Sequence, residues 1–256
     1  MTPVFETEFL RLIRSRKFKL LFLVTIFPAV IYLLSPNASG TGVEPLKKGF
    51  EDLFADLLPN YWLGIIGQLI AVIIMSDLIA GEIDRGTIRL ILARPIGIGE
   101  FLAGKFLAGL SALLVLFGIP YAVVWLYAPL PYRAGLAGVK ALAVDFGAVL
   151  ASTAVILAFL GALSMFLAVL VRRPLYATLA TFGILFLGQF LLPQVPYFEH
   201  PERLTLGYQA LVMLKAGFES LSVTGTPWKT AVAFAVASAS LLLVTWLLLV
   251  KGEFPD

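Results

Sequence analysis

The chain has 256 residues, of which 60% are hydrophobic and 14% are charged, with a formal net charge of +3 and a mean hydropathy of +0.95. Soluble domains are about 45–50% apolar and about 25% charged, so this composition excludes a soluble enzyme and a disordered chain. The apolar residues form long continuous runs, which are typical of spanning helices rather than of the short alternating strands of a membrane β-barrel. The sequence therefore predicts an all-α integral membrane protein. It contains no cysteine, which excludes disulfides and thiolate metal sites.

At the N-terminus, residues 1–17 are predicted to form an amphipathic helix that lies in the membrane interface. Thr2 suits the cap of a helix, and Pro3 suits its first turn, where a missing N–H does no harm. Apolar side chains then recur at helical spacing on one face, and charged side chains lie largely on the other. The apolar face carries Phe5, Phe9, Leu12 and Ile13, and the polar face carries Glu6, Glu8, Arg11 and Arg14.

Six apolar runs are long enough to cross a bilayer, which takes roughly 20 residues of helix. The predicted spans are residues 18–35, 58–79, 101–127, 141–171, 175–192 and 229–250, with an outer loop at 193–228. These runs use most of residues 1–256, which are predicted to form a single transmembrane domain. Any ATPase or other soluble domain must therefore come from a partner.

The basic residues predict the orientation of the spans, because Lys and Arg are enriched in short cytoplasmic segments. When both termini are placed inside, most of the 19 Lys and Arg residues fall in cytoplasmic segments. The basic excess is thus explained by the membrane, and we expect lipids and no nucleic acid among the partners. We expect a multi-pass protein of the plasma membrane of a prokaryotic cell, with both termini cytoplasmic.

The segment between the second and third spans carries the signals of a short separate helix. Gly86 suits the end of the descending helix, Thr87 suits the cap of a new one, and Pro95 stops it. The sequence predicts a helix at 87–94, about 12 Å long, at the cytoplasmic surface. Its exposed apolar and basic side chains suit docking into a groove of another protein. The alternative is a helix that lies on lipid with its arginines near phosphates, and the residues alone leave both open.

Residues 82–105 read E-I-D-R-G-T-I-R-L-I-L-A-R-P-I-G-I-G-E-F-L-A-G-K. This pattern resembles the cytoplasmic loop of the permease subunits of ABC-2 type transporters. The shared features are Glu82, Gly86-Thr87, an apolar stretch, Pro95-Ile96, Glu100-Phe101 and Gly104-Lys105. The predicted architecture, with an N-terminal interfacial helix, six spans and a larger outer loop before the sixth, is also similar to that family.

The resemblance implies a complex of two permease subunits, as a homodimer or a heterodimer with a sister subunit, and two cytosolic nucleotide-binding ATPase subunits. ATP and Mg would be bound by those partners, so no cofactor and no enzymatic activity are expected in this chain. The short helix at 87–94 would be the coupling helix that transmits closure of the ATPase subunits to the spans. The residues implied at that joint are Glu82, Asp84, Arg85, Gly86, Thr87, Ile88, Arg89, Leu92 and Arg94.

Two glutamines lie deep in predicted spans, Gln68 in the second and Gln189 in the fifth. Polar side chains at membrane depth either line a path for substrate or form hydrogen bonds between helices. Both interpretations are open for this pair. The sequence has no Gly-Lys-Ser/Thr phosphate-binding loop, and its single histidine, His200, excludes a His-Glu-x-x-His metal site.

The function predicted from these observations is the membrane subunit of an ATP-driven transporter, in the direction of export. Two hypotheses from other classes remain. One is a stand-alone channel or secondary transporter that needs no ATPase, and the other is a membrane scaffold that recruits a cytosolic partner without moving any solute.

Overall fold

The computed structural model describes residues 2–35, 40–86, 97–191, 194 and 201–251, and the regular structure in these ranges is entirely helical. The predicted all-α membrane fold is confirmed. The α-helices are α1 (Thr2–Arg14), α2 (Arg16–Leu34), α3 (Val43–Leu57), α4 (Ile65–Asp84), α5 (Ile98–Tyr127), α6 (Gly135–Ala141), α7 (Ala143–Val171), α8 (Pro174–Phe190), α9 (Leu206–Leu214) and α10 (Pro227–Lys251). A π-helical turn, Leu58–Trp62, precedes α4, and a 3-10 turn, Pro201–Leu204, precedes α9.

Five of these helices, α2, α4, α5, α7 and α10, are long and apolar enough to cross a membrane. The fifth predicted span, 175–192, corresponds to α8, which is apolar but has 17 residues. At 1.5 Å per residue α8 is about 26 Å long, which is at the lower limit for a hydrocarbon core of about 30 Å. The described part of the chain therefore has five full-length candidate spans and a shorter sixth apolar helix.

The second span begins later than the sequence predicts, and the predicted loop before it is largely helical. Residues 58–62 form the π-helical turn, and α4 then runs from Ile65 to Asp84 rather than ending at 79. Gly64 lies between the two elements with an extended backbone. A side chain on Gly64 would collide with the carbonyl of Asn60, so the chain can fold back here only because this residue is glycine.

The N-terminal helix is held against the bundle rather than lying on lipid alone. Ser15 separates it from α2, and the Ser15 side chain caps α2 by accepting a hydrogen bond from the Phe18 N–H at 3.1 Å. Helix α1 packs on the start of α5, where Gly104 leaves room for Val4. A Cβ on Gly104 would lie 3.0 Å from Val4 Cγ1, so the two helix backbones approach closely at this point.

The centre of the bundle is formed by α4 and α7, which contact each other extensively. Helix α7 also packs against α5, α8, α9 and α10. Met75 of α4 fits between Gly109 of α5 and Gly161 of α7, and a Cβ on either glycine would lie 2.5 Å from its side chain. Small residues thus bring three helices together, as is common where no hydrophobic effect drives helix association in lipid.

The long helices alternate in direction, so that α1 and the C-terminal end of α10 lie at the same end of the bundle. We call this the α1 end; there Lys105 of α5 contacts α1 and α4, and Gly99 faces Trp246 of α10. The opposite end, which we call the α3 end, holds α3, α6 and α9. There Tyr127, at the end of α5, donates a hydrogen bond to the carbonyl of Leu33 at 3.1 Å.

Two prolines interrupt α2 and α5, and each leaves the carbonyl four residues earlier without its helical donor. Pro28 frees the carbonyl of Val24, which accepts a hydrogen bond from the Tyr61 hydroxyl at 2.8 Å. Pro120 frees the carbonyl of Leu116, which lies 3.2 Å from the Thr25 hydroxyl. The same hydroxyl lies 3.0 Å from the Phe22 carbonyl of its own helix, so its single proton is shared between the two. Since an unsatisfied carbonyl in hydrocarbon is costly, these side chains stabilise both interrupted helices.

Replacing Thr25 by valine should lower the free energy of unfolding by about 1 kcal/mol, because the Leu116 carbonyl loses its donor in a dry interior. Thermal unfolding in detergent, followed by tryptophan fluorescence, measures the change. The matched control is Thr181→Val: Thr181 is also buried, and its hydroxyl bonds to the carbonyl of Ala177 in its own helix. A loss for Thr181→Val as large as for Thr25→Val would contradict the role assigned to Thr25.

Candidate functional site

At the α1 end, three charged side chains from three helices meet in the interior. Lys105 Nζ of α5 lies 2.9 Å from Glu8 Oε1 of α1 and 2.7 Å from Glu82 Oε1 of α4. The side chains are 1%, 10% and 5% exposed, in that order. A buried ammonium is strongly disfavoured unless it is paired, and here two carboxylates pair with it.

A fourth residue balances the charge of this group. Arg11 Nη2 lies 2.9 Å from the second carboxylate oxygen of Glu8, and the Arg11 side chain is half exposed. Two acidic and two basic residues, Glu8, Arg11, Glu82 and Lys105, therefore form what we call the ion cluster. The ring of Phe101 adds a cation–π contact, with its centroid 5.2 Å from Lys105 Nζ. The ion cluster ties α1, α4 and α5 together at one point.

A second ion pair lies at the same end, between the start of α2 and α4. Lys17 Nζ is 3.2 Å from Asp77 Oδ2, with both side chains more than a third exposed. Such exposed pairs contribute at most about 1 kcal/mol. Asp77 is therefore paired within the chain near the end of α4, and this contact is secondary to the ion cluster.

The residues implied at a coupling joint divide into three groups. Glu82 is buried in the ion cluster, whereas Asp84, Arg85 and Gly86 are exposed at the end of α4. Gly86 has a φ of 69° and its N–H donates to the Ile83 carbonyl at 3.0 Å, so it ends α4 as the sequence predicts. The others, Thr87, Ile88, Arg89, Leu92 and Arg94, lie outside the described residues, as does His200.

The segment 87–96 is therefore joined at both of its ends to helices that share the ion cluster. Glu82 precedes the segment by five positions on α4, and Lys105 follows it on α5. The 2.7 Å contact between these two side chains fixes the end of α4 relative to the start of α5. The ion cluster thus links the two helices that flank the segment and, through Glu8, also joins them to α1.

The two deep glutamines are hydrogen-bonded to each other. Gln68 Nε2 donates to Gln189 Oε1 at 3.0 Å and to the Leu63 carbonyl at 2.9 Å. Further along the same pair of helices, the hydroxyls of Ser76 and Thr178 are 2.7 Å apart. Side-chain hydrogen bonds thus join α4 to α8, which is one of the two interpretations that the sequence leaves open.

At the α3 end, a second polar group ties α3 to the turn after α9. Lys47 Nζ lies 2.7 Å from Glu219 Oε1, and the Glu51 carboxylate accepts hydrogen bonds from the backbone N–H groups of Glu219 and Ser220 at 3.2 and 2.9 Å. Asp145, in the first turn of α7, is 1% exposed beside this group. Its Oδ2 has no hydrogen-bond partner among the described residues, and its acidic charge lies favourably at the N-terminus of α7.

The pair at the α3 end predicts a pH dependence of stability. The hydrogen bond from Lys47 holds the pKa of Glu219 below its ordinary value of 4.5. A carboxyl whose pKa is lower in the folded protein than in the unfolded chain stabilises the folded state. That stabilisation is complete at pH values above the pKa of the unfolded chain, and it is lost as the pH falls through the pKa of the folded protein. The contribution of Glu219 should therefore be complete at neutral pH, decline as the pH falls below about 4.5, and disappear once the pH is below the lowered pKa of the folded state.

The Glu219→Gln variant tests this dependence. It should unfold at a lower temperature than the wild type at pH 7, and this difference should shrink as the pH falls further below 4.5, because the wild-type carboxyl becomes protonated. Glu44→Gln is the control, because Glu44 is exposed and forms no salt bridge with a described residue. A difference between Glu219→Gln and the wild type that persisted at low pH would contradict the assignment.

The sequence patterns miss two members of the ion cluster. Glu8 falls on the polar face of α1, which suggests an exposed side chain, and Lys105 stands out only through the family resemblance. The signal that identifies Lys105 is its position inside an apolar helix, beside Phe101, Leu102 and Phe106. A lone lysine in such a setting requires a buried acidic partner. The identity of that acidic partner depends on the contact between α1 and α5, which brings Glu8 to Lys105.

Comparison with known protein families agrees with the fold. The family model described as ABC-2 family transporter protein matches residues 2–250, which is nearly the whole chain. No curated protein matches the sequence.

Proposed function

Because this chain belongs to the ABC-2 family of transporter proteins, we propose that it is the membrane subunit through which partner ATPases drive export of a substrate. Membership of the family makes it a membrane-spanning permease component of an ABC transporter, which associates with an ABC ATPase subunit. The match over residues 2–250 is the observation that carries this function.

The proposed coupling element is the segment 87–94, with Ile88, Arg89, Leu92 and Arg94 docking into a groove of the ATPase subunit. The exposed Asp84 and Arg85 flank that joint. The ion cluster supports this assignment, because it links the helices on both sides of the segment to α1 with charge-assisted contacts of defined geometry. ATP and Mg belong to the ATPase partner in this proposal, and this chain supplies no catalytic group.

In the proposed orientation the α1 end faces the cytoplasm and the α3 end faces outward, in the plasma membrane of a prokaryotic cell. Helix α1 and the end of α10 lie at the same end of the bundle, so the N-terminal and C-terminal helices end on the same side of the membrane. Two such subunits, identical or sister, pair in the complete transporter. Gln68 and Gln189 lie at the contact between α4 and α8. If that contact changes during transport, both side chains become exposed to the path of the substrate through the membrane.

The experiment that tests the function is gentle solubilisation of the tagged chain from its native membrane, with identification of co-purifying proteins by mass spectrometry. We expect a stoichiometric soluble protein that carries a phosphate-binding Gly-Lys-Ser/Thr loop. The isolated complex should hydrolyse ATP, and transport should require that activity. A stable oligomer without any ATPase would contradict the proposal.

Two single substitutions locate the joint. Leu92→Asp should abolish co-purification of the ATPase and leave the yield and unfolding temperature of this chain unchanged, because it removes an apolar docking contact. Leu136→Asp is the matched control: Leu136 is 70% exposed at the α3 end of the bundle, and its replacement should leave the complex intact. Equal loss of the ATPase in both variants would contradict the proposed joint.

A further inference from the structure

A cavity of about 980 Å³ opens at the α3 end, between the last two turns of α2 and one face of α3. Its volume is in the range of sites that hold small organic ligands, roughly 300–1,000 Å³. The cavity lies at the opposite end of the bundle from the ion cluster, and neither Gln68 nor Gln189 lines it. It is therefore distinct from the sites described above.

One wall of the cavity is apolar and continues onto the exposed apolar surface of α2. Pro28 and Ile31 of α2 and Leu53 and Leu57 of α3 form this wall. Ile31 is 49% exposed, so the wall is not closed off from its surroundings. An acyl chain can leave the cavity along α2 and remain in contact with apolar side chains.

The rim of the cavity carries a row of charges that have no partner within the part of the chain that the structure describes. Glu44, Lys48 and Asp52 of α3 line the cavity at intervals of four residues, which places them on one face of the helix. All three are exposed, and none forms a salt bridge or side-chain hydrogen bond with a described residue. The neighbouring Lys47, in contrast, is paired with Glu219. The row therefore presents negative, positive and negative charge to a ligand.

Two tyrosines line the cavity beside this row. Tyr32 comes from α2, and Tyr132 from the turn after α5. Tyr132 approaches α3 closely because residue 49 is a glycine, where any Cβ would collide with the Tyr132 hydroxyl. Aromatic rings next to carboxylates are the setting in which proteins bind ammonium groups. A lysine on the same rim provides a counter-charge for a phosphate.

We propose that this cavity binds a zwitterionic amphiphile, in which an ammonium and a phosphate are joined to an apolar tail. The ammonium is held by Asp52 and the tyrosine rings, and the phosphate by Lys48, which lies one helical turn from Asp52. The tail lies on the apolar wall and extends along α2. Because the rim carries two acidic groups and one basic group, an anionic head group without an ammonium binds less well.

The test is equilibrium binding to the full-length chain in dodecyl maltoside, without ATP or any partner. The probe is a phosphatidylethanolamine with a fluorescent acyl chain, followed by anisotropy. Unlabelled phosphatidylethanolamine should compete about fivefold better than phosphatidylglycerol or diacylglycerol, the factor expected when an exposed ion pair is lost. Glycerophosphoethanolamine, which has the head group but no tail, should not compete in the same concentration range. Because ATP coupling plays no part in the assay, its failure would leave the proposed function untouched.

Two charge reversals and one control sharpen the test. Asp52→Lys should shift the preference toward phosphatidylglycerol, and Lys48→Glu toward a lipid with a cationic head group, each by about fivefold. Lys140→Glu reverses an exposed charge that does not line the cavity, and should leave both preferences unchanged. Thermal unfolding of each variant checks that the fold is intact. The proposal is overturned if binding does not saturate, if all lipids compete equally, or if Lys140→Glu acts like Lys48→Glu.

Discussion

Replacing Lys105 by methionine should lower the free energy of unfolding by about 3–5 kcal/mol, the usual cost of removing one partner from a buried ion pair. The substitution keeps most of the volume of the side chain and removes its charge. Glu8 and Glu82 would then be two buried carboxylates with no ammonium between them, where at present they lie 2.9 and 2.7 Å from Lys105 Nζ. Titration from dodecyl maltoside into dodecyl sulfate, followed by tryptophan fluorescence, measures the change.

The control for Lys105→Met is the triple variant Glu8→Met, Glu82→Leu, Lys105→Met, which removes all three buried charges together. Replacing a complete buried ionic group by apolar residues is often neutral or stabilising, so this variant should recover most of the lost stability. If Lys105→Met alone changed the free energy by less than about 1 kcal/mol, the size of an exposed pair, the ion cluster would not be a buried joint. If the triple variant folded well and still failed to couple ATP hydrolysis to transport, the cluster would have a role in force transmission beyond stability.

Replacing Gly67 by valine should destabilise the protein by about 3 kcal/mol, the upper end of the range for overpacking a well-packed interior. A Cβ on Gly67 would collide with the carbonyl oxygen of Trp62 in the π-helical turn. That carbonyl has little room to move, because the Trp62 side chain is fully buried. Its Nε1 donates to the Thr25 carbonyl at 2.9 Å, and its ring centroid lies 4.7 Å from that of Tyr121. The strain therefore spreads into the contact between the turn, α2 and α5.

Gly183→Val is the matched control for Gly67→Val. Gly183 also lies inside an apolar helix, but apart from its chain neighbours and the backbone of its own helix nothing lies within 4 Å of the position that its Cβ would occupy. This variant should change the unfolding midpoint only slightly, because valine and glycine differ little in helix propensity compared with the cost of a collision. A loss of stability for Gly183→Val equal to that for Gly67→Val would show that valine itself, and not the collision with Trp62, is responsible.

The long helices and several of their ends could be predicted from the sequence, because the properties that produce them are local. A helix in hydrocarbon must satisfy its own backbone, so a long apolar run predicts a span without any knowledge of its neighbours. Gly86 ends α4 because a residue with positive φ is needed there. The helical spacing of Ala210, Leu211, Leu214 and Phe218 similarly predicts a helix at 208–220 within the outer loop. The structure has α9 there, but it begins at Leu206 and ends at Leu214.

The errors in the predicted boundaries have a common cause. Leu58, Trp62 and Leu63 extend the apolar run of α4 toward the N-terminus, but residues 58–62 form a turn packed around Trp62 that is not part of α4. Tyr61 and Trp62 point from this turn to the carbonyls of Val24 and Thr25 on α2. Hydropathy cannot distinguish a residue that faces lipid from one that faces another helix, since both are apolar. Hydropathy therefore predicts a start for α4 that is too early.

By itself, the sequence determined that this is a helical membrane protein, the approximate positions of its long apolar helices, and that its loop at 82–105 resembles that of a permease. Tertiary structure alone decided which polar side chains are partners. Glu8 and Lys105 are 97 positions apart, and Gln68 and Gln189 are 121 apart. No periodic pattern records such pairings, because they depend on which helices pack side by side. In a low-dielectric interior each charge must find its partner, and the packing of α1 against α5 brings the two together.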